Sequence, residues 1–269
     1  MSKTKTQKEL AFIYDLAIAP DWGERFAELL DAHIKLPENG RVLYVAAGTG
    51  AHALAWQQQA APEVAWFCVE EDAERLELAR GKASVLKLKP QFSDDELDNL
   101  DFPDEHFALV AGDLSLIPAA RVPDILSELA RVTQEGGHIA LTLATAGSFG
   151  EFFSLYWEAL FNAELDGSVI EKLIAAQPTT HDINAWAIKH GLKKFATETN
   201  NEEFTYESGQ AFVESPLVAE FLLPAWLAEA DTRTHARLMK DTVRLIDDFR
   251  EGANFILSVK ATILTGVKK

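Results

Sequence analysis

The stretch Arg41 to Leu54, RVLYVAAGTGAHAL, constrains what this chain can fold into more than any other. Four strand-forming apolar residues, Val42, Leu43, Tyr44 and Val45, run into a small-residue turn from Ala46 to Gly50, and a helix start follows. Glycine permits positive φ and lets a second molecule approach the backbone with no Cβ in the way. A helix that begins directly after such a turn points unpaired N–H groups and a partial positive charge back at it. Strand, bare turn and helix N-terminus together make a seat for the polar, anionic end of a nucleotide-like ligand. Gly48, Gly50 and Ala53 satisfy the loose GxGxx(G/A) pattern. The next apolar run, VAWFCV at 64–69, ends in Glu70, 20 residues after Gly50. In a doubly wound fold an acid at that strand tip accepts hydrogen bonds from ribose hydroxyls.

The pattern downstream alternates between strand and helix. Strands are expected at Arg41–Val45, Val64–Val69, weakly at Leu88–Phe92, at Phe107–Ala111 and at His138–Ala144. Helices are expected from Ala51 to Gln59, after Asp72, and along the face Val122, Ile125, Leu126, Leu129, Val132, with Gly136-Gly137 closing the last of these. This spacing implies right-handed crossovers and a parallel sheet. Upstream, Lys8–Ala17 and Glu24–Ile34 read as helices separated by a turn at Ala19–Gly23. After Ala144 come helices at Phe149–Ala163, Val169–Ala176 and Thr180–His190 and a sixth strand at Leu192–Thr199. Helical material broken by Pro216 and Pro224 follows over Glu207–Arg250. The alternating run Phe255–Val267 has no helix after it, so it can pair antiparallel beside the sixth strand. The expected architecture is α/β, a Rossmann-like, doubly wound seven-stranded sheet, mostly parallel with the last strand antiparallel. N-terminal helices precede it, and a helical insertion follows strand five. The whole chain reads as one domain, 1–269, with N-terminal helices at 1–38, a cofactor-binding core at 39–145, a helical cap and strand six at 146–254, and the last strand at 255–269.

Charge and cysteine usage exclude several classes. With 25 basic and 42 acidic residues the net charge is −17, which opposes non-specific binding to nucleic acid or anionic membranes. Cys68 is the single cysteine, so neither a disulfide framework nor a cysteine-based zinc cluster is available. It falls in the second strand and reads as a small buried hydrophobe. The start MSKTKTQKEL has no apolar run behind its basic residues, and no stretch of 18 uninterrupted apolar residues occurs. A soluble, cytoplasmic protein with no signal peptide and no membrane span is expected. Seven acids crowd into Asp94–Glu105, a run that reads mostly as a solvated loop.

Three stretches carry a family likeness: VLYVAAGTG at 42–50, DFPDEHFALVAGDLSLIP at 101–118, and LSELARVTQEGGHIALTLAT at 126–145. On them the chain resembles class I S-adenosylmethionine (SAM)-dependent methyltransferases, in particular the small-molecule branch related to ubiquinone/menaquinone C-methyltransferases. The resemblance implies methyl transfer from SAM to a small-molecule acceptor by in-line displacement, with S-adenosylhomocysteine as product. It implies that Ala46, Gly48 and Gly50 line the methionyl portion of SAM, that Glu70 binds the ribose, and that Glu96 and Leu97 lie beside adenine. Asp113 falls where family members often have a polar residue close to the methionyl group and the acceptor, which makes it the candidate catalytic residue. Two positions depart from the family: Tyr44 stands where an acid is usual and Ala46 where glycine is usual. Loss of one charge-assisted hydrogen bond costs roughly 1.5–3 kcal/mol.

Methyl transfer from a sulfonium needs alignment more than covalent help, and a general base only if the acceptor loses a proton. Besides Asp113, His52 opens the helix after the glycine turn and reads as solvated, because a helix N-terminus disfavours imidazolium. His138 and His190 read as structural. Tyr14, Trp22, Phe149, Phe152, Phe153, Tyr156 and Trp157 could wall an apolar acceptor pocket or simply pack a core. No HExxH, paired His–acid cluster or GxSxG elbow is present, so a metal-free site is the default. Two other readings stand beside the methyltransferase. One is a non-catalytic or altered-ligand descendant of the fold, motivated by Tyr44 and Ala46. The other is an NAD(P)-dependent oxidoreductase, motivated by GTGAHA, against which the Tyr-x-x-x-Lys pair of short-chain dehydrogenases is missing. Oligomeric state is left open.

Overall fold

The structure, a computed structural model, describes residues 5–228, 232–249 and 252–269. The chain divides into two compact units. The first comprises 1–143, 180–199 and 261–269, and the second 144–179 and 200–260.

The first unit holds the glycine turn. Strands β1 (Gly40–Val45), β2 (Val64–Val69), β3 (Gln91–Ser93), β4 (Phe107–Asp113) and β5 (Thr133–Thr145) pair in parallel. Strands β6 (Leu192–Tyr206) and β7 (Phe255–Lys268) complete one sheet in the order β3-β2-β1-β4-β5-β7-β6, antiparallel at the β5-β7-β6 end. The strand order reverses between β1 and β4, which opens a crevice at their carboxyl ends. Central strands are apolar on both faces because helices cover both: Val42, Leu43 and Val45 are fully buried, as are Val110 and Ala111. Burying each valine or leucine contributes roughly 1.5–3 kcal/mol. Helix α3 (Ala51–Gln59) follows the glycine turn, and α4 (Ala73–Leu86) starts at Asp72, whose carboxylate accepts from the Glu74 and Arg75 amides. Helix α5 (Val122–Val132) buries Ile125, Leu126 and Leu129 against the core that includes Val110 and Ile139. Cys68 is fully buried, and desolvation pushes its thiol up to about 12.

Three local expectations are corrected. The turn at Ala19–Gly23 is helical: α1 (Gln7–Ile13) widens into a π-helical segment, Tyr14–Gly23, and continues as α2 (Glu24–His33). The Glu24 amide reaches back five residues to the Ala19 carbonyl, and this wider spacing accommodates Pro20 inside the helix. Gly136-Gly137 does not end α5 but lies inside β5, where the register jumps from Phe107↔Thr133 to Leu109↔His138. Gly136 takes φ +72 there, and the pair absorbs a bulge. The weak third strand is shorter and later than Leu88–Phe92, at Gln91–Ser93. The acidic run is mostly exposed, as expected, with Asp98 tied by Arg121 and Asp104 by Arg131.

The second unit contains α6 (Gly150–Asn162), α7 (Ser168–Ala176), α9 (Gly209–Glu214), α10 (Leu223–Trp226) and α11 (Thr232–Phe249); α8 (Thr180–Lys189) belongs to the first unit. Its core is aromatic: Phe152 stacks on Trp226 at 4.6 Å and meets Tyr156 and Phe212. Parts of the helical stretch expected over Glu207–Arg250, at 229–231 and 250, lie outside the described residues. Among the described residues no helix is long and apolar enough to cross a membrane.

Candidate functional site

Residues 46–50 form a tight left-handed turn, with φ +49 at Ala46, +55 at Gly48 and +80 at Gly50. The Gly50 amide bonds the Ala47 carbonyl at 2.8 Å, and the Ala47 amide bonds Val69 at the tip of β2 at 3.0 Å. Gly50 needs its missing side chain, since a Cβ there would sit 3.0 Å from Ala79 of α4. Glu70, one residue beyond β2, is 5% exposed. Its carboxylate accepts from the Gly48 amide at 2.7 Å and the Asp72 amide at 3.1 Å, with Arg75 at 3.8 Å. Burial raises the Glu70 pKa above the ordinary carboxylate value, while Arg75 and the two amides oppose that rise.

Asp113 closes the opposite side from the end of β4. Its Oδ1 accepts from the Ser115 amide at 2.9 Å and from Thr142 at 3.0 Å, and its Oδ2 accepts from the Ser115 hydroxyl at 3.0 Å. Ser115 in turn accepts from the Trp22 indole at 2.7 Å. Desolvation raises the Asp113 carboxyl to about 6, against the lowering effect of those hydrogen bonds. The linkage sign follows from the raised value. Between about 4 and 6 the folded state holds a proton that the unfolded chain has released, so stability falls as pH rises through that window. Asp113→Asn is therefore expected to be more stable than the parent at pH 8 by about 2 kcal/mol and nearly equal at pH 4.5, read by urea denaturation. A variant destabilised equally at both pH values would show that the hydrogen bonds outweigh the desolvation.

Two cavities meet at this turn. The larger, about 240 Å³, is lined by Tyr14, Tyr44, Ala46, Thr49, His52 and Asp113 among others, and by the acids Glu24, Glu28 and Asp31 of α2. The smaller, about 30 Å³, touches Glu70, Arg75, Leu97 and Ile117. Tyr14, Ala46 and Asp113 line both. The Tyr14 ring lies so close to Gly48 that a Cβ there would be 2.7 Å from its Cε1, and the Arg75 guanidinium stacks on its face at 4.3 Å. Desolvation, then the charge of Asp113, pushes the Tyr14 phenol well above its usual range. The neighbouring Asp15 accepts from Thr49 at 2.5 Å and pairs with Lys82, which fastens the π-helical segment to the turn.

Ala46, Gly48, Glu70, Leu97 and Asp113 thus gather around one crevice, with Gly50 behind the turn. Glu96 does not join them: it is exposed and borders an outer depression with Asp94, Asp98 and Arg121. Leu97 is buried, its amide held by Glu71 at 2.8 Å. Of the aromatic candidates, Tyr14 lines the cavities and Trp22 is buried beside Ser115, while Phe149, Phe152, Phe153 and Tyr156 pack within the second unit. His52 is not solvated. Its side chain is 17% exposed, and it bonds Tyr44 and Asp31. The sequence signal for the α2 contribution is the i, i+4, i+7 spacing of Glu24, Glu28 and Asp31, which puts three acids on one helix face.

Residues 42–137 match the family described as "Methyltransferase domain". Over 146 residues the chain is 32% identical to the demethylmenaquinone methyltransferase of Deinococcus radiodurans, covering 53% of this chain and 59% of that one. The chain therefore spans about three-fifths of that relative's length. Among solved structures, the YcgJ protein of Bacillus subtilis superposes with a TM-score of 0.61 at 17% identity, over 91% of this chain and 99% of the other. Phosphoethanolamine N-methyltransferase 2 of Haemonchus contortus, solved with S-adenosyl-L-methionine, gives 0.58 at 14% identity over 98% and 57%. Residues 42–137 are thus similar to a methyltransferase domain, and the fold is the one seen in these solved structures.

Proposed function

We propose that the chain is a SAM-dependent methyltransferase acting on a small-molecule acceptor. The observation that carries this reading is the crevice at the carboxyl ends of β1 and β4, where the left-handed turn 46–50, buried Glu70 and half-buried Asp113 converge. This donor set suits SAM. Glu70 would take the ribose hydroxyls, the turn backbone at Ala46, Gly48 and Gly50 the methionyl end, and Leu97 the adenine. Asp113 would face the acceptor. When bound, SAM supplies a methyl group on a sulfonium, already a good leaving group. The protein's own contribution is alignment, which can supply on the order of 7–11 kcal/mol. The single-domain organisation over 1–269 and a cytoplasmic location belong to the same reading. The acidic charge of −17 supports small molecules rather than nucleic acid or membranes as partners.

Neither cavity alone, at about 240 and about 30 Å³, reaches the size usual for a ligand of this kind. Occupancy requires the Tyr14 ring to withdraw from Gly48. That contact is also the observation that favours a second reading, a descendant of the fold whose cofactor space is plugged. Thermal shift with SAM and S-adenosylhomocysteine at submillimolar concentration separates the two. Stabilisation of the parent by either compound, with a larger ligand-induced shift in Tyr14→Ala, is the expected result. A shift only in Tyr14→Ala marks a plugged site, and no shift in either protein removes the cofactor assignment.

A further inference from the structure

The larger cavity contains a hydrogen-bonded chain that the cofactor reading does not use. Tyr44 Oη lies 2.8 Å from His52 Nδ1, and His52 Nε2 lies 3.1 Å from Asp31 Oδ1. The same Asp31 oxygen accepts from the Trp56 indole at 2.5 Å, so it receives two donors. Those donors fix the directions of the chain. Asp31 accepts from Nε2–H, which leaves Nδ1 of a neutral ring as the acceptor and the Tyr44 O–H as its donor. Tyr44 is 3% exposed and His52 is largely buried, whereas Asp31 is 57% exposed, so the chain runs from the cavity wall to solvent. Ring contacts hold the geometry: Trp56 meets His52 at 4.7 Å and Tyr44 at 5.8 Å.

We propose that Tyr44, His52 and Asp31 form a proton relay that removes the proton from the methyl acceptor's nucleophilic atom. This rests on the methyltransferase reading. As the acceptor's electron pair bonds to the methyl carbon, the carbon–sulfur pair departs with sulfur and the acceptor's X–H proton passes to Tyr44 Oη. The Tyr44 proton passes to His52 Nδ1 in the same step. The resulting imidazolium is held by the Asp31 carboxylate and discharges to water at its exposed end. Tyr44 and His52 are the catalytic groups and Asp31 the positioning residue. The acceptor class that needs such a relay is one with an O–H or N–H that must ionise on methylation.

The groups that bear on His52 are consistent with a base at neutral pH. Desolvation lowers its pKa below the ordinary histidine value, against opposing effects of Asp31 and Glu24. Desolvation, then the Asp113 charge, holds Tyr44 in its phenol form. Glu24, Glu28 and Asp31 from α2, Tyr14 from the π-helical segment and Asp113 from β4 complete the titratable lining of the cavity.

Two measurements on the full chain test the relay. The first is ¹⁵N-histidine NMR, with the His52 signal assigned by its loss in His52→Gln. A neutral ring protonated at Nε2 at pH 7 is expected, with its tautomer bias weakened in Asp31→Asn. An imidazolium, or a ring protonated at Nδ1, overturns the relay whether or not any acceptor is turned over. The second is S-adenosylhomocysteine release from SAM with catechol, tyramine and benzoate as probes, alongside S-adenosylhomocysteine affinity by calorimetry. On catechol or tyramine, whichever is methylated, His52→Gln is expected to lower kcat at least a hundredfold and Tyr44→Phe about tenfold, with affinity changed less than twofold, whereas turnover of benzoate, already ionised at neutral pH, is expected to be unaffected. Affinity lost tenfold with kcat retained would make the chain a cofactor clamp and overturn the relay. An unshifted acid limb of the kcat profile in Asp31→Asn would overturn the role given to Asp31. Absence of S-adenosylhomocysteine binding in the parent protein sinks the methyltransferase reading instead, and the tautomer measurement stays readable.

Discussion

Glu70→Ala is expected to weaken S-adenosylhomocysteine binding ten- to hundredfold and to destabilise the fold by about 1–3 kcal/mol. The two effects share one carboxylate. In the proposed complex it accepts from ribose hydroxyls, and in the structure it accepts from the Gly48 amide at 2.7 Å and the Asp72 amide at 3.1 Å. Alanine leaves the Gly48 amide unpaired in a buried turn, and an unmade buried hydrogen bond costs more than a made one contributes. Calorimetric titration reads the first effect and urea denaturation the second. Glu70→Gln separates them, because its carbonyl oxygen can still accept from Gly48 while the charge is lost. Weakened binding in Glu70→Gln with stability near the parent's would support the ribose role. Unchanged affinity in that variant would restrict Glu70 to bracing the turn.

What was legible in the sequence was local. The strand–turn–helix at Arg41–Leu54 and the acid closing β2 announce themselves because neighbouring residues decide them: apolar alternation, small residues, a helix start. The sheet order then follows from crossover handedness, which leaves few ways to arrange alternating strands and helices. The Gly136-Gly137 pair misled because a double glycine after an amphipathic helix resembles a helix stop. Its actual role depends on the register against Phe107 and Leu109, 27–30 residues upstream, which no local pattern encodes.

The site's remaining parts were hidden for the same reason. Tyr14 precedes Gly48 by 34 residues, and nothing near Tyr14 says that its ring will rest on that glycine. Pro20 argued for a turn, and only the π-helical spacing keeps Tyr14 and Trp22 on one continuous helical path into the crevice. His52 looked solvated from its helix position alone. Asp31, 21 residues earlier on a different helix, supplies the partner that lets the ring be buried. Tyr44, conspicuous as a departure from an acid, becomes intelligible only beside both of them.

Gly112→Ala is expected to cost about 3 kcal/mol or more, although it adds one carbon. Gly112 pairs with Val45 between the two central strands. A Cβ there would stand 2.3 Å from the Val45 carbonyl oxygen and 2.6 Å from its Cγ2, and the nearer obstacle is backbone. Relief requires β4 to move against β1. That movement carries Asp113, the next residue, away from Thr142 and from the turn at Ala46, so binding and stability should fall together. Gly81→Ala is the matched control. Gly81 lies inside α4 with nothing within 4 Å of a built Cβ, so alanine there should stabilise by about 0.5–1 kcal/mol through helix propensity. Urea denaturation of both variants, with S-adenosylhomocysteine affinity measured on each, checks the contrast. A Gly112→Ala protein within 1 kcal/mol of the parent and binding normally would mean that the β1–β4 contact yields without disturbing the crevice, and that Asp113 is not held in place by that register.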